Sequence, residues 1–399
     1  MAFKSGGAAE VFGVFLRLGV TCFGGPIAHL GYFRTEFVER RRWLSEGQFA
    51  QLLAICQFLP GPASSQLGFS IGLLRAGWRG ALCAFFAFTL PSVLLLAGFA
   101  AALPWLSGAV GQAVVGGLKI LALAVVAHAL VGMARTLCAG WWRAALAGMA
   151  CAAMVAFGAP AVQLGVVAIG AGLGALFCRQ AGPAAEAALA VGYGTRGGWG
   201  LLGVFLVLLI GLPYLAGPAA GAAGPLDIAA GFYRAGALVF GGGHVVLPLL
   251  EETVVAPGWV SEADFVAGYG AAQAVPGPLF AFAAYLGRLI PAAGGGLVGG
   301  AVALLAIFLP GFLLVAGVLP LWRFIAGRRS AANAIAGVNA AVVGLLAAAF
   351  YDPVFVAAVD SAVDLAIGLV GFGLLAIWRV SPLVVVVWCL GGSLVVSML

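Results

Sequence analysis

The sequence predicts an all-α polytopic membrane protein of two inverted-topology repeats, with broken or re-entrant helices at Pro-Gly-Pro motifs. Composition sets the class. Of 399 residues, 64 % are hydrophobic and 8 % charged, and mean hydropathy is +1.15, whereas soluble domains are about 25 % charged. A doubled motif sets the repeats. Phe23-Gly24-Gly25-Pro26, Trp43-Leu44-Ser45-Glu46 and Gln57-Phe58-Leu59-Pro60-Gly61-Pro62 form the first copy. Phe240-Gly241-Gly242-Gly243, Trp259-Val260-Ser261-Glu262 and Gln273-Ala274-Val275-Pro276-Gly277-Pro278 form the second. The offset is 216 from Trp43 onward and 217 for Phe-Gly-Gly. Glycine and proline interrupting apolar segments at matching points of two halves mark transporters built from repeats.

Apolar stretches of spanning length, roughly 20 residues, run near 11–30, 48–74, 80–103, 109–133, 143–158, 160–178, 199–217, 229–250, 265–290, 294–319, 332–350, 357–378 and 382–398. The first six match the last six, and 199–217 joins them. Leu103-Pro104 recurs as Leu319-Pro320, and Gly117-Leu118-Lys119 as Gly337-Val338-Asn339. The expected domains are a first repeat over 1–180, a linker with a joining transmembrane helix over 181–227, and a second repeat over 228–399. Six segments plus one joint is an odd number, so the second repeat enters the membrane upside down. The polar start, Met1 to Glu10, has no cleavable signal pattern, so the first segment is expected to be retained.

Charge placement supports that parity. Seventeen arginines and two lysines face thirteen acids, a formal charge of +6. With the N-terminus cytoplasmic, Arg75, Arg79, Arg135, Arg143, Arg179, Arg196, Arg323, Arg328, Arg329 and Arg379 fall in cytoplasmic loops, and Asp227, Asp352, Asp360 and Asp364 fall outside, as the positive-inside rule requires. The C-terminus is then periplasmic. One loop resists: if 11–30 and 48–74 both cross, Arg34 and Arg40-Arg41-Arg42 lie outside while Glu251 and Glu252 lie inside. Re-entrant hairpins folding back at Phe-Gly-Gly and Pro-Gly-Pro remove the violation in both halves. Full crossing with a basic outer loop stays open.

Pro-Gly-Pro cannot continue a helix, because proline lacks a donor and clashes with the preceding turn. Freed backbone at membrane depth is tolerated where it is buried in protein or lines a cavity. The helices resuming after Pro62 and Pro278 would present N-terminal amides, which favour anions, and two such ends would make an oxyanion site. A purely structural kink is the alternative. Gly24, Gly25 and Pro26, with Gly241, Gly242 and Gly243, offer close backbone approach or tight helix packing. Gln57 and Gln273 can donate to a ligand or cap the broken helix.

Ionisable groups within apolar segments are functional candidates by default. Lys119 lies about 15 Å from either end of its segment, placed for substrate, for a coupled proton or for a carbonyl of a broken helix. Arg17 and Arg234 occupy equivalent positions, and their forked donors suit a tetrahedral dianion; neutralisation by Glu10 or Asp227 is the alternative. His29, His128 and His244 are proton-carrier candidates, against a buried, bonded histidine. Glu36/Glu252 and Glu46/Glu262 repeat with interfacial flanks, which suits gating or helix ends. Seven cysteines (Cys22, Cys56, Cys83, Cys138, Cys151, Cys178, Cys389) show no CxxC, so packing is expected rather than a metal or disulfides.

The run from Phe23-Gly-Gly-Pro-Ile-Ala-His-Leu-Gly-Tyr through Cys56-Gln-Phe-Leu-Pro-Gly-Pro-Ala-Ser-Ser-Gln66 closely resembles the chromate ion transporter family. Phe240 to Leu250 and Gln273 to Pro278 resemble that family's second domain. The resemblance covers nearly the whole chain and looks like a long, two-domain member. It implies proton-driven export of chromate from the bacterial cytoplasm, conferring resistance, across the cell inner membrane. Repeat pattern and charge alone give only an anion-permeable carrier. Sulfate import or exchange is the alternative substrate reading. A membrane enzyme or reductase lacks a flavin or nicotinamide fingerprint, and no GxxxxGK[ST] loop supports nucleotide-driven pumping; a channel would need a continuous pore. Expected partners are the oxyanion, protons and the lipid bilayer. No nucleic acid and no cofactor is expected, and a homodimer is left open.

Overall fold

The computed structural model describes residues 6–23, 25–157, 160–177, 189, 191–216, 223–240, 245–291, 296–322 and 329–398, and among these no strand occurs. The first repeat opens with α1 (Ala8–Thr21), α2 (Gly25–Arg34), which widens into a π-turn over Thr35–Arg40, and α3 (Glu46–Phe58). Then α4 (Ala63–Ala102) leaves helical geometry at Ala76-Gly77 and folds back on itself. Gly72 lies against Gly80 and Ala84, which fixes the register of the two arms. With 14 and 13 residues, α1 and α3 fall short of the roughly 20 needed to span a bilayer. They are arms of hairpins, bent at the Phe-Gly-Gly and Pro-Gly-Pro elements.

The doubled Trp-x-Ser-Glu element explains where the inner arms begin. Ser45 accepts from the Gln48 amide, and Gln48 returns the bond to Ser45, a capping box for α3. Each such cap is worth about 1 kcal/mol. Glu46 then sits in the first turn, where the helix dipole favours an anion.

Next, α5 (Ala109–Leu137), α6 (Trp141–Phe157) and α7 (Pro160–Phe177) complete the first repeat, and α8 (Thr195–Leu215) follows. Large apolar side chains on α8, among them Trp199, Val207, Ile210 and Tyr214, are exposed, as expected of a helix facing lipid. The second repeat restarts the pattern with α9 (Pro225–Ala237), α10 (Val246–Val254), α11 (Glu262–Ala274) and α12 (Phe282–Leu289). Ser261 caps α11 by accepting from the Asp264 amide, as Ser45 caps α3. It ends with α13 (Leu297–Val318), α14 (Arg329–Ala349), α15 (Ala362–Ala376) and α16 (Pro382–Met398). Among the described residues five helical stretches are long and apolar enough to cross a membrane: Ala63–Leu106, Ala109–Leu137, Thr195–Leu215, Leu297–Leu321 and Asn333–Ala358. The protein is an all-α polytopic membrane protein.

The resisting basic loop has a definite place. Glu10 of α1 pairs with Arg75 at 3.0 Å and with Arg41 at 3.9 Å. The Gly6 amide donates to the Arg75 carbonyl, and the Arg75 guanidinium lies 4.7 Å from the Trp43 ring. The start of α1, the bend of α4 and the 34–43 loop therefore share one end of the molecule. Fully crossing helices would hold them a membrane thickness apart, so the re-entrant alternative is the one observed. The second repeat's hairpins open at the other end of α4, where Tyr285 of α12 stacks on Phe99 at 5.7 Å.

Single cysteines at positions 10, 41 and 75 in a cysteine-free background are expected to react with an impermeant maleimide from one face only, and from the same face. Label reaching 41 from the opposite face would overturn the hairpin assignment.

Candidate functional site

The two bent elements do not satisfy their own backbone; each satisfies the other's. The Gly61 amide donates to the Val239 carbonyl at 2.7 Å, and the Gly277 amide donates to the Cys22 carbonyl at 2.9 Å. Gly61 and Gly277 are equivalent, and Cys22 and Val239 are the residues just before Phe23 and Phe240. The tip of each Pro-Gly-Pro thus docks on the Phe-Gly-Gly element of the other repeat. Both glycines hold left-handed φ, +122° and +100°, which other residues reach only at a cost. A side chain at Gly277 would collide with Ser92 Oγ, and one at Gly61 would meet Gly311 Cα at 3.1 Å. Ser92 and Gly311 are themselves equivalent, in Leu90-Pro91-Ser92 and Leu309-Pro310-Gly311.

Chemically the two broken ends differ. After Pro62 the chain resumes directly as α4, and Pro62 contributes no side-chain cap. Ser64, Ser65 and Gln66 follow, all buried. Gln66 Nε2 donates to the Pro60 and Gly311 carbonyls, each at 3.0 Å, tying the break to α13. His29 lies with Nδ1 3.5 Å from Ser64 Oγ and its ring edge-on to Phe88. After Pro278 the chain instead makes a 3-10 turn over Leu279–Ala281 before α12. Phe280 and Phe282 occupy the places of Ser64 and Gln66, both buried, Phe280 beside Phe308 and Phe282 among Phe265, Tyr269 and Tyr285. The two ends expected to form a symmetric anion-binding pair thus differ in lining, one polar and one aromatic, with Phe280, Ala281 and Phe282 standing where the first copy has Ser64, Ser65 and Gln66.

Arg17 and Arg234 are not brought together. Each lines its own cavity, one per repeat. The first, about 650 Å³, is lined by Arg17, Thr21, Tyr32, Thr35, Glu36 and Arg40 among others. The second, about 360 Å³, includes Arg234, Glu252 and Trp259. Arg234 donates to Glu252 at 2.7 Å, so Asp227 is not its partner. Asp227 instead accepts from the Gly224 amide at the start of α9. In the first repeat Glu36 is held by Arg41 at 2.6 Å and by Arg40 at 3.6 Å, and Glu10 by Arg75 and Arg41. Among the described residues no carboxylate pairs with Arg17. The first cavity is consequently basic, the second charge-balanced.

Lys119 packs elsewhere. The neighbouring Leu118 carbonyl lies against Gly270 of α11, and the Lys119 charge acts on Glu262. Glu262 belongs to an acidic group with Glu251, Glu252 and Asp352. In this polar connection burial, reinforced by Asp352, Glu262 and Glu252, pushes the Glu251 carboxyl up to about 8. Burial likewise raises Glu252 and Glu262. At the opposite end of the molecule, Arg34 holds the exposed Glu46 below its ordinary range.

Gln57 is exposed near the end of α3, and Gln273 Nε2 is buried without a hydrogen-bond partner. The capping role weighed for Gln57 is filled by Gln66. Pro60 supplies a carbonyl to it, Gly25 opens α2 at φ +76°, and Pro276 is buried. His128 is exposed on α5. Gly24, Gly241, Gly242, Gly243, His244 and Cys178 lie outside the described residues, as does the Pro26 side chain. Residues missed by the sequence reading are Ser65, Gln66, Thr89, Ser92, Arg40 and Asp352. The signal available was the contrast between Ser64-Ser65-Gln66 after one Pro-Gly-Pro and Phe280-Ala281-Phe282 after the other. No group of three or more His, Cys, Asp or Glu suited to a metal occurs among the described residues.

The family model for chromate transporters matches this chain twice, over residues 9–176 and 226–395. A probable chromate transport protein of Synechococcus elongatus is 29 % identical over 395 residues, covering 95 % of this chain and 93 % of that protein. Chromate transport proteins of Pseudomonas aeruginosa and Cupriavidus metallidurans are each 29 % identical, over 359 and 366 residues, covering 86 % and 88 % of this chain and 80 % and 82 % of theirs. No solved structure matches the chain significantly.

Glu251 binds a proton in the folded state that the unfolded chain, with a carboxylate near 4.5, has already released. Its contribution to stability is complete below about 4.5 and is lost as pH rises to about 8. The melting temperature of the purified protein is expected to fall across that window. Glu251→Gln, fixed neutral against Asp352, Glu252, Glu262, Arg234 and Lys119, is expected to flatten the profile; an unchanged profile would remove Glu251 as its source.

Proposed function

Since the chain belongs to the chromate transporter family, we propose that it is a secondary carrier that exports chromate from the bacterial cytoplasm, driven by the proton gradient, and so confers chromate resistance. The observation that carries this reading is the basic cavity of the first repeat. Among the described residues Arg17 stands there without a carboxylate partner, Arg40 adds a second guanidinium, and the acid lining the cavity, Glu36, is shared with Arg41. A concave site with uncompensated positive charge concentrates anions. Thr21 lines it, and the next residue, Cys22, holds the Gly277 amide of the opposite repeat. The wall of the cavity is thus one residue along the chain from the junction where both helices break.

In this reading the arginine-rich end of α4 faces the cytoplasm, the two repeats have inverted topology, and the C-terminus is periplasmic. The oxyanion is collected at Arg17 and passes the junction of the two Phe-Gly-Gly and Pro-Gly-Pro elements, where Gly25, Pro60, Gly61 and Pro62 meet Pro276, Gly277 and Pro278. Gln57 and Gln273 precede the two Pro-Gly-Pro tips on that route, whereas Lys119 and Arg234 face the acidic group of the second repeat. His29 at the junction and His244 in the matching element are the proton-coupling candidates. Sulfate, a tetrahedral dianion of similar size, is the alternative cargo, since guanidiniums and amides recognise shape and charge.

Everted membrane vesicles energised to an acidic lumen are expected to accumulate radiolabelled chromate, and a protonophore to abolish it. Arg17→Ala is expected to lower initial uptake about tenfold, consistent with one lost charge-assisted contact, with Arg40→Ala weaker. Uptake that ignores the protonophore would refute proton coupling. Uptake of sulfate in preference to chromate would replace the cargo.

A further inference from the structure

Around the first broken end several buried polar atoms have no partner among the described residues. His29 Nε2, Ser65 Oγ, Thr89 Oγ1 and Ser92 Oγ all lack partners, and the four residues are 0, 5, 2 and 0 % exposed. Hydroxyls on helices ordinarily bond back to the carbonyl one turn earlier. Thr21, Ser70, Thr136 and Thr253 do so, onto Arg17, Gln66, Gly132 and Leu249. Ser65, Thr89 and Ser92 do not.

These atoms gather at one level. With Gly72 against Gly80 and Ala84, the two arms of α4 run in a register that sets Ser64–Gln66 beside Phe88–Ser92. His29 joins the arms, near Ser64 on one side and Phe88 on the other. Ser92 Oγ faces the Gly277 crossing. Thr89 and Ser92 lie about halfway along the arm that runs to Ala102, so the group sits at mid-membrane depth. The first-turn amides of α4 have no side-chain cap there. Buried polar groups without partners are rare and call for an explanation, and at this depth bulk water cannot supply it.

We propose that Ser65, Thr89 and Ser92, together with His29 and the first-turn amides of α4, form the oxyanion-binding subsite of the carrier, a single site in the first repeat built from neutral donors. The proposal rests on the transport reading and adds to it. Arginine attracts the anion at the cavity, but hydroxyls and amides hold it at the crossing. Neutral donors suit a carried ligand, because a site that must also release its cargo gains from hydrogen bonds that are individually weak. The aromatic end at Leu279–Phe282 binds nothing in this scheme and serves as the packed partner that closes the junction.

The test uses the purified full-length protein, read by chromate-dependent thermal shift in detergent and by initial uptake in liposomes. Ser65→Ala, Thr89→Val and Ser92→Ala are each expected to raise half-saturating chromate about tenfold, and the triple variant about a hundredfold or more. The ligand-free melting temperature is expected to hold or rise, because each change deletes an unsatisfied hydroxyl. Ser393→Ala, remote from the group, is expected to leave both readouts unchanged. A triple variant with wild-type half-saturation, or one that loses only maximal rate, would overturn the subsite. Wild-type protein that neither carries chromate or sulfate nor is stabilised by either would instead overturn the transport reading itself.

Discussion

A helix broken inside a membrane exposes amides and carbonyls that no solvent can reach, and this protein meets that constraint by exchange between its halves. Neither repeat can close its own Pro-Gly-Pro tip, because proline removes one donor and the turn directs the glycine amide outward. The amide of Gly61 finds Val239, and that of Gly277 finds Cys22. Left-handed φ at both glycines is what aims the two donors. A half-molecule alone would hold an unsatisfied donor and an unsatisfied acceptor at its deepest point, so each half needs a second copy of the element to close it. The same two bonds tie each hairpin tip to the other, so displacement of one is transmitted to both.

Symmetry in the backbone has not kept symmetry in the chemistry. Around the second tip Phe280 meets Phe308 at 5.7 Å, Phe308 meets Phe312 at 5.7 Å, and Phe312 stacks on Phe69 of the first repeat at 4.4 Å. Such pairs add about 0.5–1.5 kcal/mol each beyond the area they bury. Around the first tip the corresponding volume holds serine, glutamine and histidine. One end therefore gains stability from packing alone, and the other keeps polar atoms that only a ligand or a rearrangement satisfies. Duplicated scaffolds can divide labour in this way because the rigid copy supports the adaptable one.

Much of this was legible in the residues. Phe-Gly-Gly and Pro-Gly-Pro mark the bends because glycine and proline act locally, through φ and the missing donor. The class followed from composition, and the hairpins from the conflict between four arginines and the positive-inside rule. Partnerships were not legible. Glu10 is seven residues before Arg17 and pairs with Arg75 and Arg41; Asp227 is seven before Arg234 and caps its own helix. Spacing along one helix does not record which neighbour an adjacent hairpin supplies. The role of Trp-x-Ser-Glu as a helix start was present in Ser45 and Ser261 but is a weak signal outside a known boundary. Thr89 and Ser92 were hidden by their surroundings, since isolated hydroxyls in an apolar segment read as packing until the crossing chain is seen.

Charge completes the asymmetry. At one end of α4 the first cavity holds Arg17 and Arg40 against a single shared Glu36. At the other, Glu251, Glu252, Glu262 and Asp352 face Arg234 and Lys119 among the described residues. An anion is attracted by the first arrangement and repelled by the second. Protonation of Glu251 removes one negative charge from the second arrangement, so local pH sets the strength of that repulsion. The sign of the field at each end is then set by side chains the two halves do not share, while the junction between them is held by the backbone bonds they do.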